Sequence, residues 1–246
     1  VTLVEASDRL GGRLNLVESA GDAKNLLSAT AWVEQELTDL NVAIRMQTVA
    51  DESLIRQMKP DAIILATGAY TTDDLDIPTD GSVQILSSDA AAAGVYDGTQ
   101  FEIANTRALV IDLLGNYETT LVTESLAIRG STVTVATPAP VFGRNVGVSH
   151  ADDFSRAVFP KYGIRLLPST VLTEISQGRA LLRNTVSAQP IEEFFDIVVA
   201  CRSPKPQDAL YAVCSKQAPT KLVGDAVAPR NAMLAFREGD RAGRTV

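Results

Sequence analysis

The chain has 246 residues, a net charge of −8 at pH 7 and 46% hydrophobic residues. This composition is ordinary for a globular protein and allows one large domain or two small ones. No run of Lys or Arg forms a basic stripe, so nucleic acid is not expected as a partner. No apolar run approaches the roughly 20 residues of a bilayer-spanning helix, so no membrane association is expected.

The first part of the chain alternates between strand and helix patterns. Strands are predicted at Val1–Glu5, Val42–Met46 and Ala62–Ala66, and helices at Asp22–Leu40 and Asp51–Met58. Small apolar strands between helices are typical of a buried parallel sheet. A polar connection then runs to about Gly98 and contains one short helix, predicted near Ser88–Ala93.

The alternation restarts after this connection. The predicted strands are Ala108–Ile111, Ser131–Ala136, Ile164–Leu167, Asp196–Ala200 and Lys221–Val223. The predicted helices are Glu118–Arg129, Asp152–Phe159 (ended by Pro160) and Asn231–Arg244. A small antiparallel set is predicted from Val171–Ile175, Arg179–Arg183 and Pro190–Phe195.

This order predicts an α/β protein with two Rossmann-like dinucleotide-binding folds, the second inserted in the first. The expected first domain is 1–77 plus 206–246, and the expected second domain is 78–205. A GxGxxG loop belongs about 20 residues before the acid that ends the second strand. Because Glu5 takes that position, we expect the first strand and its phosphate loop to be missing from the N-terminus.

Two neighbouring features near the N-terminus indicate a nucleotide site. Glu5 ends a predicted strand, where a carboxylate can accept both ribose hydroxyls of an adenosine. Gly11 and Gly12 allow the backbone to approach a ligand, and Arg13 can pair with a phosphate. Each feature alone is also typical of an ordinary surface loop, and together they form a patterned pair.

Two later features follow predicted strands in the same way. Small residues at Ala66-Thr67-Gly68 would let the backbone approach a cofactor. Asp225, after Gly224, could accept a hydrogen bond from a ribitol hydroxyl. The helix predicted from about Asn231 would direct the positive end of its dipole at a pyrophosphate or a flavin edge.

Three sequence blocks carry a family resemblance: VTLVEASDRLGGRLNL, DAIILATGA and VGDAVAPRNAMLAFREGDRAG. The series resembles the C-terminal FAD/NAD(P)-binding half of the trimethylamine dehydrogenase and 2,4-dienoyl-CoA reductase family. The resemblance covers essentially the whole chain. In that family a flavin-binding barrel with an iron–sulfur cluster precedes this half, so FMN and a 4Fe-4S cluster are expected only in a missing N-terminal part.

The resemblance implies roles for individual residues. It implies that Glu5 contacts the adenosine ribose, that Gly12 and Arg13 line the dinucleotide, and that the cofactor passes close to Ala66, Thr67 and Gly68. The far end of the cofactor would lie at Gly224, Asp225 and Ala232. The cofactor is FAD or ADP, the barrel domain is a partner, and a homo-oligomer is expected. No catalytic residue and no metal ligand is expected in this chain.

The second fold has a degenerate phosphate loop. The strand ALVID is followed by LLGNYETT, in which Gly115 is the only glycine of the expected fingerprint. Thr137 stands where NAD binding would favour an acid. A structural role is therefore favoured over NAD(P)H binding here, although both stay open. His150, the only histidine, has no readable catalytic partner.

Two other classes of function are alternatives to a flavin oxidoreductase acting on an amine or enoyl substrate. A degenerate nucleotide-fold module for subunit contacts would explain the broken second loop. A pyridine-nucleotide disulfide reductase needs a reactive cysteine pair, whereas Cys201 and Cys214 lie 13 positions apart. Two idle thiols are the favoured interpretation, with a reducing cytoplasm as the expected compartment.

Overall fold

The computed structural model describes residues 1–21, 25, 27–96, 98–145 and 152–246. The chain divides into two compact units. Unit 1 consists of Val1–Asn15, Leu26–Tyr70 and Pro204–Val246, and unit 2 consists of Leu16–Asn25 and Thr71–Ser203. Most of unit 2 therefore lies in sequence between two segments of unit 1.

The strands in chain order are β1 (Thr2–Val4), β2 (Ala43–Arg45), β3 (Ile63–Leu65), β4 (Ala69–Tyr70), β5 (Gln84–Ser87), β6 (Val95–Tyr96), β7 (Thr99–Gln100), β8 (Arg107–Asp112), β9 (Thr132–Ala136), β10 (Arg165–Leu167), β11 (Thr170–Ser176), β12 (Arg179–Asn184), β13 (Pro190–Phe194), β14 (Ile197–Cys201), β15 (Lys205–Pro206) and β16 (Thr220–Leu222). The α-helices are α1 (Leu27–Asp39), α2 (Glu52–Met58), α3 (Ser88–Ala93), α4 (Tyr117–Ile128), α5 (Asp152–Tyr162), α6 (Tyr211–Cys214) and α7 (Ala232–Gly243). Short 3-10 helices cover Gly12–Ser19 and Gly224–Ala226.

Unit 1 is built on two parallel strand pairs. β1 pairs with β2, and β3 pairs with β16 so that Leu65 lies opposite Leu222. Among the described residues, each pair is a two-stranded sheet with no strand on its other edge. Of the residues in β1 and β3, Leu65 alone is buried. Parallel strands are ordinarily buried on both faces, whereas most residues of β1 and β3 are partly or fully exposed.

Unit 2 contains a parallel sheet of five described strands. Its strand order is β10-β9-β8-β14-β5, with β8, α4 and β9 forming a βαβ crossover. All five residues of β14 are buried, because helices and a second sheet can cover both faces of a central strand. The second sheet is antiparallel, in the order β11-β12-β13. The predicted small antiparallel set is confirmed, as is the α/β class with Rossmann-like folds.

Several local features differ from the sequence predictions. Pro160 does not end the helix predicted at Asp152–Phe159: α5 continues to Tyr162 with the proline inside. Proline costs one helical hydrogen bond, which is tolerable in a last turn that Ile164 closes by donating its N–H to the Phe159 carbonyl at 2.9 Å. Strand β5 and the 3-10 helix Gly12–Ser19 were not predicted. Of the predicted helix Asp22–Leu40, residues 22–24 and 26 lie outside the described residues.

Candidate nucleotide site

Glu5 lies one residue beyond β1, at its carboxyl end. The backbone N–H of Glu5 donates to the Arg45 carbonyl and its carbonyl accepts from Thr48, both at 2.9 Å. Its Oε1 accepts the N–H of Ser7 at 2.8 Å and lies 2.7 Å from the Ser7 hydroxyl oxygen. No described residue hydrogen bonds to Oε2. The carboxylate is therefore oriented by one oxygen, while the other remains available to a ligand hydroxyl.

The turn after β1 contains Gly11 and Gly12, both with backbone angles that other residues rarely adopt. Gly11 has a φ of 107°, and a Cβ there would come within 2.8 Å of Asn15 Oδ1 and 3.0 Å of Thr30 Cγ2. Gly12 has a φ of 51°, and a Cβ on it would meet no atom within 4 Å. The first glycine is thus needed by the fold, and the second borders open space. Arg13 is the second residue of the 3-10 helix that begins at Gly12, next to that space.

The predicted Ala66-Thr67-Gly68 site follows β3. The Thr67 hydroxyl donates to the Gln207 carbonyl, and the Gln207 N–H donates to the Gly68 carbonyl. Two hydrogen bonds therefore fix this turn against the chain that leads into α6. Ala66 is exposed, and a Cβ on Gly68, at a φ of 73°, would meet no atom within 4 Å. Open space beside both residues leaves room for a ligand.

Gly224 and Asp225 follow β16. Gly224 is buried with a φ of 62°, and a Cβ there would lie 3.2 Å from that of Ala235 in α7. Its N–H donates to Glu238 Oε2 at 2.8 Å, while Arg230 Nη2 donates to Oε1 at 2.6 Å. The Arg230 guanidinium, followed by the Gly224 amide, lowers the pKa of the Glu238 carboxyl. These contacts hold the strand-to-helix turn closed.

The N-terminus of α7 follows this turn. The Asn231 side chain caps the helix by accepting the Leu234 N–H at 3.0 Å, and Ala232, its first residue, is exposed. A 12-residue helix presents a partial positive charge at such an end. Met233 and Phe236 are also exposed, at 71% and 55%. The accessible helix start can therefore accommodate an anionic or a partly apolar ligand.

The structure brings two of the predicted site segments together. The parallel register places Leu65 opposite Leu222, and the Val223 N–H donates to the Leu65 carbonyl at 3.0 Å. Ala66–Gly68 and Gly224–Asp225 thus leave adjacent strands at the same edge. No hydrogen bond joins Glu5 to either segment among the described residues. Sequence reasoning missed the Glu238 contact, since no local pattern links it to a glycine 14 positions earlier.

Other predicted features fall outside this site. Cys201 and Cys214 are both free and buried, and burial raises the pKa of each thiol, that of Cys201 well above its ordinary value. His150 lies outside the described residues. Within the described ranges, no group of three metal-ligating side chains could hold a metal ion. The described helices include none with the length and apolar character to cross a membrane.

Proteins of similar sequence share part of their length with this chain. No family model matches it. The N,N-dimethylglycine/sarcosine dehydrogenase of Chromohalobacter salexigens is 27% identical over 230 residues, covering 90% of this chain and 32% of the relative. A metal reductase of Desulforamulus reducens is 25% identical over 264 residues, covering 97% and 39%. The chain therefore spans about a third of the length of these relatives.

Solved structures match over the full chain. A 2-naphthoyl-CoA reductase superposes with a TM-score of 0.88 at 20% identity, covering 100% of this chain and 36% of the other. Histamine dehydrogenase from Rhizobium sp. 4-9 gives 0.86 at 18% identity, covering 100% and 40%. The predicted family resemblance is confirmed. The chain has the fold of the matching part of these proteins.

The same plan occurs in smaller reductases. Thioredoxin reductase of Lactococcus lactis gives a TM-score of 0.67 at 17% identity, covering 99% of this chain and 88% of its own length. This likeness concerns the fold alone, with its two Rossmann-like units. In the present chain neither cysteine is exposed, so the described surface offers no thiol for disulfide exchange.

Proposed function

We propose that unit 1 binds an adenine nucleotide, FAD or ADP, as part of a flavin-dependent oxidoreductase. The observation that carries this proposal is the oriented carboxylate of Glu5, with one oxygen held by Ser7 and the other without a hydrogen-bond partner among the described residues. A carboxylate in this place binds the ribose hydroxyls of an adenosine. The strand end supplies the position, and Ser7 supplies the orientation.

The remaining site residues fit the rest of such a ligand. Gly12 and Gly68 border open space where backbone could lie against it, and Arg13 is suited to a phosphate. Asp225 and Ala232 lie where β16 leads into α7, so the helix start would face the far end of the ligand. A bound flavin would supply electron or hydride transfer. The residues of this chain would hold and orient it.

Substrate chemistry is proposed for the whole protein and not for this chain. The relatives are named for N,N-dimethylglycine, sarcosine and histamine, which are amines, and for a naphthoyl-CoA thioester. We infer an amine or an enoyl-type thioester as the substrate class. A barrel domain carrying FMN and a 4Fe-4S cluster, and assembly as a homo-oligomer, belong to the same proposal.

Release of bound nucleotide tests the first site. The protein at its natural length is purified, denatured and assayed by chromatography for FAD, ADP and other adenine nucleotides. We expect about one adenine nucleotide per chain in the wild type. Glu5→Gln should bind it about tenfold to hundredfold more weakly, because the loss of a charged acceptor costs roughly 1.5–3 kcal/mol. Glu36→Gln, exposed on α1, is the matched control.

The second candidate function is a nucleotide-fold module that mediates subunit contacts and holds no cofactor. The exposed apolar side chains of Trp32, Met233 and Phe236 in unit 1 favour it. It predicts that denatured protein releases no adenine nucleotide, and that Glu5→Gln leaves every property unchanged. Complete absence of adenine nucleotide from the wild-type protein would contradict the proposal that unit 1 binds FAD or ADP.

A further inference from the structure

The loop between β8 and α4 occupies the place where a dinucleotide fold binds phosphates. β8 lies between β9 and β14, where the strand order of the sheet reverses. Open α/β sheets bind ligands at such a point, beyond the carboxyl ends of the strands. Backbone N–H groups of the loop and the first turn of the helix normally contact the pyrophosphate. The contacts of these groups therefore decide whether unit 2 can bind a dinucleotide.

Asp112, the last residue of β8, accepts hydrogen bonds from one amide of this loop and from one hydroxyl of α4. Its side chain is 1% exposed. Oδ1 accepts the Gly115 N–H at 2.7 Å and the Thr119 hydroxyl at 2.8 Å. Oδ2 is buried and has no hydrogen-bond partner among the described residues. A carboxylate of the protein thus lies where a phosphate of the ligand would need donors.

Neighbouring groups occupy other polar atoms of the loop. The N–H of Leu113 donates to the Cys201 carbonyl at 2.9 Å, and that of Glu118 donates to Asn116 Oδ1 at 3.0 Å. Asn145 covers the loop from outside: its N–H donates to the Gly115 carbonyl at 2.7 Å and its side-chain amide to the Leu114 carbonyl at 2.8 Å. The backbone amides of Leu113, Gly115 and Glu118 therefore already have protein acceptors.

Two carboxylates near the loop act in the same direction. Burial first, then the negative charges of Glu118 and Asp112, raises the pKa of the Cys201 thiol at the end of the adjacent strand. The same carboxylates would repel a pyrophosphate. Glu118 is held there by the Ser88 hydroxyl, which donates to its Oε1 at 2.7 Å. Arg144, a cation, passes over Gly115 with its Cγ 3.0 Å from the position of a Cβ there.

We propose that Asp112 closes this loop to dinucleotide phosphates, so that unit 2 excludes NADH and NADPH. The side chain acts in two ways: it occupies the Gly115 amide and the Thr119 hydroxyl, and it places a buried negative charge beside the loop. This role is independent of any adenine nucleotide in unit 1. Electrons would then enter or leave the protein by a route that does not use a nicotinamide cofactor at this loop.

Two substitutions at Asp112 separate the two effects. Asp112→Asn keeps an oxygen that can accept the Gly115 N–H, but it removes the charge and replaces the unpartnered oxygen with a donor. Asp112→Gly removes the side chain and frees both donors. Asp73→Asn, an exposed carboxylate in the same unit, is the matched control for net charge. All three are made with Glu5→Gln, so that binding in unit 1 does not obscure the result.

Calorimetric titration with NADPH and with NADH measures the outcome on the full protein. The background protein should bind either one more weakly than about 1 mM, and Asp112→Gly should bind at least about tenfold more tightly than Asp73→Asn. Asp112→Asn should show a smaller gain. A background Kd below about 0.1 mM for either cofactor overturns the proposal. The proposal is also overturned if Asp112→Gly folds and has the same Kd as Asp73→Asn. Should Asp112→Gly not fold, the proposal is overturned if Asp112→Asn has the same Kd as Asp73→Asn.

Discussion

Gly224 and Glu238 are joined by a hydrogen bond of 2.8 Å from the glycine amide to carboxylate Oε2, across the turn that connects β16 to α7. The bond requires the glycine backbone to adopt a φ of 62° with the Ala235 side chain packed against it. Arg230 holds the other carboxylate oxygen. The shape of the turn at the far end of the proposed cofactor site therefore depends on Gly224, which has no side chain.

Gly224→Ala should lower the free energy of unfolding by about 1–2 kcal/mol, because alanine is strained at this φ and its Cβ would press on Ala235. Urea denaturation of the purified protein measures the change. Gly239→Ala is the control, since a Cβ at Gly239 meets nothing and lies inside α7, where alanine should stabilise by about 0.5–1 kcal/mol. Equal effects of the two substitutions would contradict the strain argument.

Ala66→Leu should reduce nucleotide content without unfolding the protein. Ala66 is exposed directly after β3, so a larger side chain enters the open space of the proposed site and displaces no core residue. We expect at least about a tenfold loss of affinity for FAD or ADP, with a thermal midpoint within a few degrees of the wild type. Ala93→Leu, exposed at the end of α3, is the control. Unchanged affinity in Ala66→Leu would place the nucleotide elsewhere.

Asp80 should contribute acid-sensitive stability to unit 2. The Gln177 N–H at 2.8 Å and then Ser82 lower the pKa of its carboxyl from 3.8 to about 2. Because the unfolded chain takes up this proton first, the contribution is present above pH 3.8 and is lost as the pH falls towards about 2. Asp80→Asn should flatten the pH dependence of unfolding in that window. A titration midpoint of Asp80 near 3.8 by NMR would refute it.

Glu193 should stabilise unit 2 by a small amount through its arginine partners. Arg165 binds it with two hydrogen bonds of 2.8 and 2.6 Å, and Arg107 lies 3.8 Å away. The Arg165 guanidinium lowers the pKa of the Glu193 carboxyl. Since the arginines are about half exposed, Glu193→Gln should cost only about 0.5–1 kcal/mol.

The control for this pair is Glu192→Gln, whose single arginine partner is Arg179. A smaller loss is expected there, because both side chains are exposed and only one bridge is broken. A cycle combining Glu193→Gln with Arg165→Gln, followed by chemical denaturation, isolates the pairwise energy. An interaction energy of zero would show that the two hydrogen bonds merely replace bonds to water.

The sequence by itself determined the α/β class and most element positions. Apolar strand patterns, glycines and helix caps act over a few residues, so the helix at Ser88–Ala93 and the antiparallel set were predictable. It also located three segments, at Glu5, Ala66–Gly68 and Gly224–Asp225, that leave the carboxyl ends of strands. That placement follows from local chain order.

Only the tertiary structure decided which of these segments meet. Strand pairing joins β3 to β16 through backbone hydrogen bonds that carry no local sequence signature, and so it places Ala66 beside Val223. It also assigned β5 to the edge of the central sheet of unit 2. The hydrogen bonds from Gly115 and Thr119 to Asp112 are likewise visible only in the tertiary structure. The sequence shows an acid at a strand end, and only the folded loop shows which donors it takes.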